Sequence, residues 1–167
     1  MKKTILTVLY VLLVCVACKN NEPGEKNADA ATGKRSRIEA VPVGYITDGR
    51  FVVNDPEAVL EKWQNRLGSS LELSNPVIKK GKVASTGETY YIMVSESKDN
   101  TFKAACLLLV DQENKFFFDI KGEGYLLVTC KGRCNEGCDI DVFSVEGEKV
   151  VVCSECPDCT KTDIEIR

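Results

Sequence analysis

The chain has 167 residues, with 22 basic and 25 acidic side chains for a net charge of −3, nine cysteines and no histidine. A mildly acidic balance argues against a nucleic-acid partner, which a basic face would have to hold. The lack of histidine excludes Ser-His and Cys-His catalysis, histidine-ligated zinc and histidine pH sensing.

The chain opens on MKKTILTVLYVLLVCVAC. Lys2 and Lys3 precede an apolar run from Ile5 to Ala17. That run is shorter than the roughly 20 residues a membrane-crossing helix needs, and it has the length of a signal-peptide core. It ends with small Ala17 directly before Cys18, whereas bulky Val14 stands before Cys15. On these residues the chain resembles a bacterial lipoprotein precursor, whose lipobox carries a small residue just before the lipidated cysteine. The resemblance implies that residues 1–17 are removed as a signal peptide. It also implies that Cys18 is diacylated at sulfur with palmitate-type chains and acylated at its new amine. Two or three acyl chains make a stable anchor where one holds only marginally. Losing residues 1–17 removes Lys2 and Lys3 and no acid, so 22 basic residues become 20 against 25 acidic, a net charge of −5.

Residues 18–37 carry the lipidated cysteine and then KNNEPGEKNADAATGKRSR, polar, without aromatics, and containing Pro23, Gly24 and Gly33. Such a stretch buries too little apolar surface to fold and is expected to be a flexible tether reaching about 25 Å. The folded part is expected from Ile38. VPVGYI (41–46) and FVV (51–53) predict short strands around an Asp48-Gly49 turn. One helix follows. Asp55 suits the N-cap, Pro56 the first turn, Glu57 and Arg66 the two ends of the dipole, and Gly68 the C-terminal stop. Val59, Leu60, Trp63 and Leu67 recur at helical spacing, which makes Trp63 a core anchor. Residues 71–83 predict one short strand at most. TYYIMVSES (89–97), FKAACLLLV (102–110), KFFFDI (115–120) and GYLLVTC (124–130) predict a meander joined by KDN, DQEN and KGEG turns. Gaps this short force antiparallel pairing. A sheet with one apolar face against the helix stripe makes an α+β layer. Cys106, inside ACLLLV, is expected to be an unpaired core thiol.

The remaining six cysteines fall in two triplets, Cys130, Cys134, Cys138 in CKGRCNEGC and Cys153, Cys156, Cys159 in CSECPDC. Between them DIDVFSV and KVVVC predict a hairpin turning at Glu146-Gly147, so Val145 faces Glu148. Extending that ladder puts Cys134 opposite Cys159 and Cys138 within one residue of Cys156, with Cys130 and Cys153 left over. Three chemistries fit. Disulfides come first, because beyond the inner membrane paired cysteines are the usual outcome and a small appendage needs staples. The alternative is a zinc site on Cys130, Cys134, Cys153 and Cys156, since four-thiolate sites use two close pairs. CSECPDC also resembles the first part of the bacterial ferredoxin pattern, but Asp163 stands where the fourth cysteine belongs. The third is a redox dithiol, since CPDC resembles the C-P-x-C of glutaredoxins. That mechanism sets the attacking thiol at a helix N-terminus, and TKTDIEIR after Cys159 predicts a strand. Asp119, Glu123, Asp139 and Asp141 are expected on a solvated polar face. No nucleophile elbow, P-loop or dinucleotide fingerprint occurs, and no catalytic residues are nominated.

The expected fold class is α+β, an antiparallel β-meander packed by one main helix plus a disulfide-rich C-terminal β-hairpin. Its expected divisions are signal peptide 1–17, lipidated cysteine and tether 18–37, α+β domain 38–130 and cysteine-rich appendage 131–167. Cysteine-rich lipoproteins of Bacteroidota resemble this layout. They imply a location in the cell envelope, lipid-anchored to the outer membrane and facing either the periplasm or the surface. The expected function is a non-enzymatic binding or structural module. Its partners are the membrane, through the anchor, and an envelope protein or ligand. The alternative function is metal-binding or thiol-redox activity in the six-cysteine cluster.

Overall fold

The computed structural model describes residues 41–68, 71–133 and 138–167. The signal peptide, Cys18, the tether and Cys134 lie outside the described residues. The predicted first turn is present: β1 (Gly44–Thr47) and β2 (Arg50–Val53) pair around Asp48 and Gly49, which adopt φ of 48° and 72°. Two successive positive φ values make the tight turn that matches the twist of a hairpin. Helix α1 (Pro56–Leu67) then starts where its signals place it. The Asp55 carboxylate accepts from the Ala58 amide at 2.9 Å, and the Gly68 N–H donates to Gln64 O at 2.8 Å with φ 97°.

The remaining elements are all strands. They are β3 (Val77–Lys82), β4 (Thr89–Glu96), β5 (Phe102–Val110), β6 (Lys115–Phe118), β7 (Ile120–Lys121), β8 (Gly124–Lys131), β9 (Ile140–Val145), β10 (Glu148–Cys153) and β11 (Thr160–Ile166). Seven of them join β1 and β2 in one nine-stranded antiparallel sheet, and β9 with β10 form a separate two-stranded one. This is the expected α+β arrangement, with one helix among the described residues and disulfide-bonded cysteines near the C-terminus.

Strand β5 organises the sheet. One edge pairs with β4; the other pairs with β8 through Phe102–Ala105 and with β6 through Leu108–Val110. The predicted strand KFFFDI is therefore split. Its first part follows β5, the Asp119 N–H donates to Leu107 O at 3.2 Å, and Ile120–Lys121 turn away to pair with β8. The sheet curls until β2 lies beside β3. A Cβ on Gly44 would stand 2.4 Å from the Val52 carbonyl oxygen of β2 and 2.8 Å from Ile78 Cδ1 of β3, and the backbone contact makes glycine necessary there.

Both faces of the sheet are buried, where one apolar face was expected. The first face holds Met93, Ala104, Cys106, Leu108, Phe116, Tyr125 and Leu127 under Trp63 of α1. Phe51, Tyr91 and Phe116 meet at centroid distances of 5.1–5.9 Å within it. Trp63 is fully buried, as its stripe predicts, and its indole N–H donates to the Tyr125 hydroxyl at 3.0 Å. Cys106 is a buried free thiol on this face. The second face holds Ile92, Val94, Ala105 and Val128, covered by Val142 of β9 and Val151 of β10. The sequence signal for this is the unbroken character of YYIMV, AACLLLV and YLLV. A strand buried on both sides reads as a continuous apolar run.

The segment 131–167, expected as an appendage, is built into this body. β11 pairs with β8 from Thr160↔Lys131 to Ile166↔Tyr125 and forms an edge of the main sheet. Ile166 is fully buried among the first-face residues. Ile38–Arg167 forms one compact unit. Among the described residues no helix is long and apolar enough to cross a membrane.

Candidate functional site

The hairpin has the register that its sequence predicts, from Glu148↔Val145 to Cys153↔Ile140. Glu146 and Gly147 form its turn with φ of 53° and 84°. The ladder runs one pair further, because the Ser154 N–H donates to Asp139 O at 2.8 Å and the Asp139 N–H donates to Ser154 Oγ at 2.9 Å. There it ends. Pro157 and Asp158 turn the chain back, and the Cys159 N–H donates to Cys156 O at 3.0 Å.

That turn decides the disulfides. Cys130 of β8 is bonded to Cys153 at the end of β10, with Cα atoms 5.6 Å apart. These are the two cysteines that the ladder left over. Cys138 is bonded to Cys159, with Cα atoms 5.5 Å apart. The ladder extension had placed Cys134 opposite Cys159 and Cys138 near Cys156. It fails because the Pro157 turn breaks the register before Cys159 is reached. Cys156 is also disulfide-bonded. Disulfide bonding, the first of the three chemistries weighed, is therefore present for all five described candidates.

Each cysteine reaches its position for a local reason. Tyr125, Leu127 and Thr129 of β8 point to one face, so Leu126, Val128 and Cys130 point to the other, toward the hairpin. Gly132 leaves the strand where a Cβ would lie 2.6 Å from Asp158 O and 3.0 Å from Cys159 Cα. It serves the close approach of this segment to Asp158 and Cys159. The Gly132 N–H donates to Thr101 O at 2.9 Å and holds this approach against the β4–β5 turn.

The two bonds meet. The Sγ atoms of Cys130, Cys138 and Cys153 all lie within 4.8 Å of one another. Cys130 and Cys138 are buried, and Cys153 and Cys159 are partly exposed. This close set includes Cys138 and differs from the zinc alternative of Cys130, Cys134, Cys153 and Cys156. In the oxidised state described here Cys130, Cys153 and Cys156 are committed to disulfides, and a zinc ligand must be a thiolate. CPDC forms a turn that leads into β11, so the strand predicted after Cys159 is present where a glutaredoxin-type thiol would need a helix.

One residue of this site escaped the sequence reasoning. Lys103 sits in β5 as the cross-strand partner of Cys130, and it is 7 % exposed. Its ammonium pairs with the Asp139 carboxylate. The signal was a single lysine inside the apolar strand FKAACLLLV. A buried charge needs a partner, and Asp139, which is solvent-exposed as expected, supplies it from the rim. Two further ion pairs, Lys121–Glu148 at 2.6 Å and Lys149–Glu88 at 3.8 Å, tie the hairpin to its surroundings. Both are largely exposed and each contributes at most about 1 kcal/mol. On the opposite face, burial pushes the Cys106 thiol well above its ordinary range, which keeps it protonated and inert.

No protein-family model, no curated protein and no solved structure matches this chain.

Proposed function

We propose that the protein is a lipid-anchored component of a bacterial cell envelope, working as a non-catalytic binding or structural module held at the outer membrane. The observation that carries this reading is the pair of disulfides Cys130–Cys153 and Cys138–Cys159 in a domain of modest size. Disulfides persist in oxidising compartments and are rare in the cytosol. That agrees with the export that the lipobox at Cys18 implies. Residues 19–37 serve as the tether between the acylated Cys18 and the folded unit. The outward side of the hairpin leaves Phe143 and Val145 about half exposed, at 45 % and 54 %. Aromatic and aliphatic side chains presented on a rigid scaffold supply contact area for a partner at low entropic cost.

The test is localisation. Wild-type protein partitions with the membrane fraction and incorporates labelled palmitate, and Cys18→Ser does neither. A Cys18→Ser variant that stays in the membrane fraction refutes the anchor. Thiol titration of the denatured unit from Ile38 onward, made in an oxidising compartment, is expected to find one thiol, that of Cys106. Stoichiometric zinc or several reactive thiols in the same sample would instead favour the metal or thiol-redox alternative.

A further inference from the structure

We propose that the sulfurs of Cys130, Cys138 and Cys153 form an intramolecular relay, through which reduction of the Cys138–Cys159 bond breaks the direct tie between β10 of the hairpin and β8 of the sheet. The proposal does not depend on where the protein is anchored. It rests on three features of the cluster. The Cys138 sulfur lies within 4.8 Å of both sulfurs of the neighbouring Cys130–Cys153 bond. The four sulfurs differ in access: Cys138 and Cys130 are buried, while Cys159 and Cys153 are partly exposed. Lys103, buried and paired across the strands with Cys130, places an ammonium group on the cluster's face of the sheet. That ammonium is paired with the carboxylate of Asp139, the residue next to Cys138 in the chain.

The co-reactant is a dithiol reductant. One of its thiolates attacks the accessible Cys159 sulfur. A mixed disulfide forms at Cys159, and the electron pair of the broken bond leaves on Cys138 as a thiolate. The Cys138 thiolate then attacks Cys130 Sγ. A Cys130–Cys138 bond forms, the Cys130–Cys153 bond breaks, and Cys153 leaves as a thiolate that takes a proton from solvent. Attack in the other direction, on Cys153, would expel a fully buried thiolate at Cys130, so the partly exposed Cys153 is the favoured leaving group. The second thiol of the reductant resolves the mixed disulfide, and Cys159 leaves and is protonated. In the net reaction the dithiol becomes a disulfide, Cys153 and Cys159 become thiols, one of the two bonds of the cluster survives in a new place, and the Cys156 disulfide is untouched.

The consequence is mechanical. Cys130–Cys153 spans 23 residues and ties β8 to β10. Cys130–Cys138 would close only the short stretch that leads out of β8. The direct covalent tie between β8 and β10 is thereby lost, while the Cys156 disulfide and the other contacts of the sheet remain. A reduction at one exposed sulfur is read out as freedom of the element that carries Phe143 and Val145.

The experiment is disulfide mapping of the full chain after limited exposure to dithiothreitol, with acid quenching and N-ethylmaleimide trapping. Trypsin cuts after Lys121, Lys131, Arg133, Lys149 and Lys161, so Cys130, Cys138 and Cys153 fall in three different peptides. Fragmentation then distinguishes Cys138 from Cys134. The expected intermediate links Cys130 to Cys138, with Cys153 and Cys159 both labelled. An intermediate with Cys138 and Cys159 labelled and Cys130–Cys153 intact at every time point overturns the relay. Cys159→Ala gives a second route that needs no reductant, because Cys138 then starts as a thiol. The folded variant is expected to carry the Cys130–Cys138 bond with Cys153 labelled. Recovery of Cys130–Cys153 with Cys138 labelled would refute the proposal independently.

Discussion

Replacing Cys130 and Cys153 together by alanine tests how much of the hairpin's hold on the sheet is covalent. Closing a loop of 23 residues removes chain entropy from the unfolded state equivalent to about 3.4 kcal/mol. The Cys138–Cys159 bond already shortens that loop. The path from Cys130 to Cys138, across the bond, and back from Cys159 to Cys153 is about 15 residues, for which the loss is about 3 kcal/mol. Cys156 is disulfide-bonded as well, so this is the upper figure. Removing one buried and one partly exposed sulfur adds about 1 kcal/mol of lost packing, similar to deleting a buried methylene. The hairpin should stay docked, because Val142 and Val151 remain buried against the sheet and each contributes about 1.5–3 kcal/mol. The unit from Ile38 to Arg167 has 130 residues and an unfolding entropy of about 0.27 kcal/mol/K. A loss of about 4 kcal/mol then lowers Tm by about 15 °C. Scanning calorimetry measures this, with Cys106→Ala as the control that loses packing but no bond, at about 4 °C. If the paired variant falls no further than the control, the chain-entropy argument is wrong and packing alone holds the hairpin.

Tyr125→Phe should cost about 1–3 kcal/mol, because the buried Trp63 indole N–H loses its acceptor; urea midpoints measure it. Trp63→Phe should then cost less in the Tyr125→Phe background than alone, and strictly additive losses would show that the bond contributes nothing. Burial pushes the Tyr125 phenol above its ordinary value of 10.0, with the Trp63 hydrogen bond opposing the shift. The folded protein therefore holds that proton more tightly than the unfolded chain does. The corresponding stability is complete below pH 10 and falls as pH rises above it; Tyr125→Phe should flatten the decline measured between pH 9 and about 11. Asp139→Ala leaves the Lys103 ammonium buried without its partner and should cost about 1–3 kcal/mol. Lys103→Met should stay within about 1 kcal/mol of wild type or gain stability, since an apolar group of similar length replaces a buried ammonium and leaves the exposed Asp139 carboxylate in water. Equal denaturation midpoints for Asp139→Ala and wild type would mean that Lys103 reaches solvent.

Much of the local structure was legible because it is set by neighbours in the chain. The bounds of α1 follow from Asp55, Pro56 and Gly68, whose backbone preferences act within one turn. The β9–β10 register follows from the two-residue turn at Glu146-Gly147. β5 and β8 lie within one residue of the runs that predict them. What failed has a common cause. The second buried face, the entry of β11 into the main sheet and the Lys103–Asp139 pair all depend on which surfaces meet, over separations of tens of residues. The unbroken apolar runs hinted at the second face. Nothing within the hairpin itself says which sheet it will cover.

The cysteines divide the same way. The sequence by itself determined that six thiols cluster beyond residue 129, that a hairpin brings the triplets together, and that Cys106 stands apart in a core strand. Only the tertiary structure decided the partners. A cysteine's partner is chosen by where its Cβ points and how near another comes. Both depend on the Pro157 turn, which breaks the ladder, on Gly132, which admits the close approach, and on the pleat of β8, which turns Cys130 toward the hairpin. Sequence periodicity carries the pleat but not the approach, because the approach is a property of two surfaces and the sequence describes them one at a time.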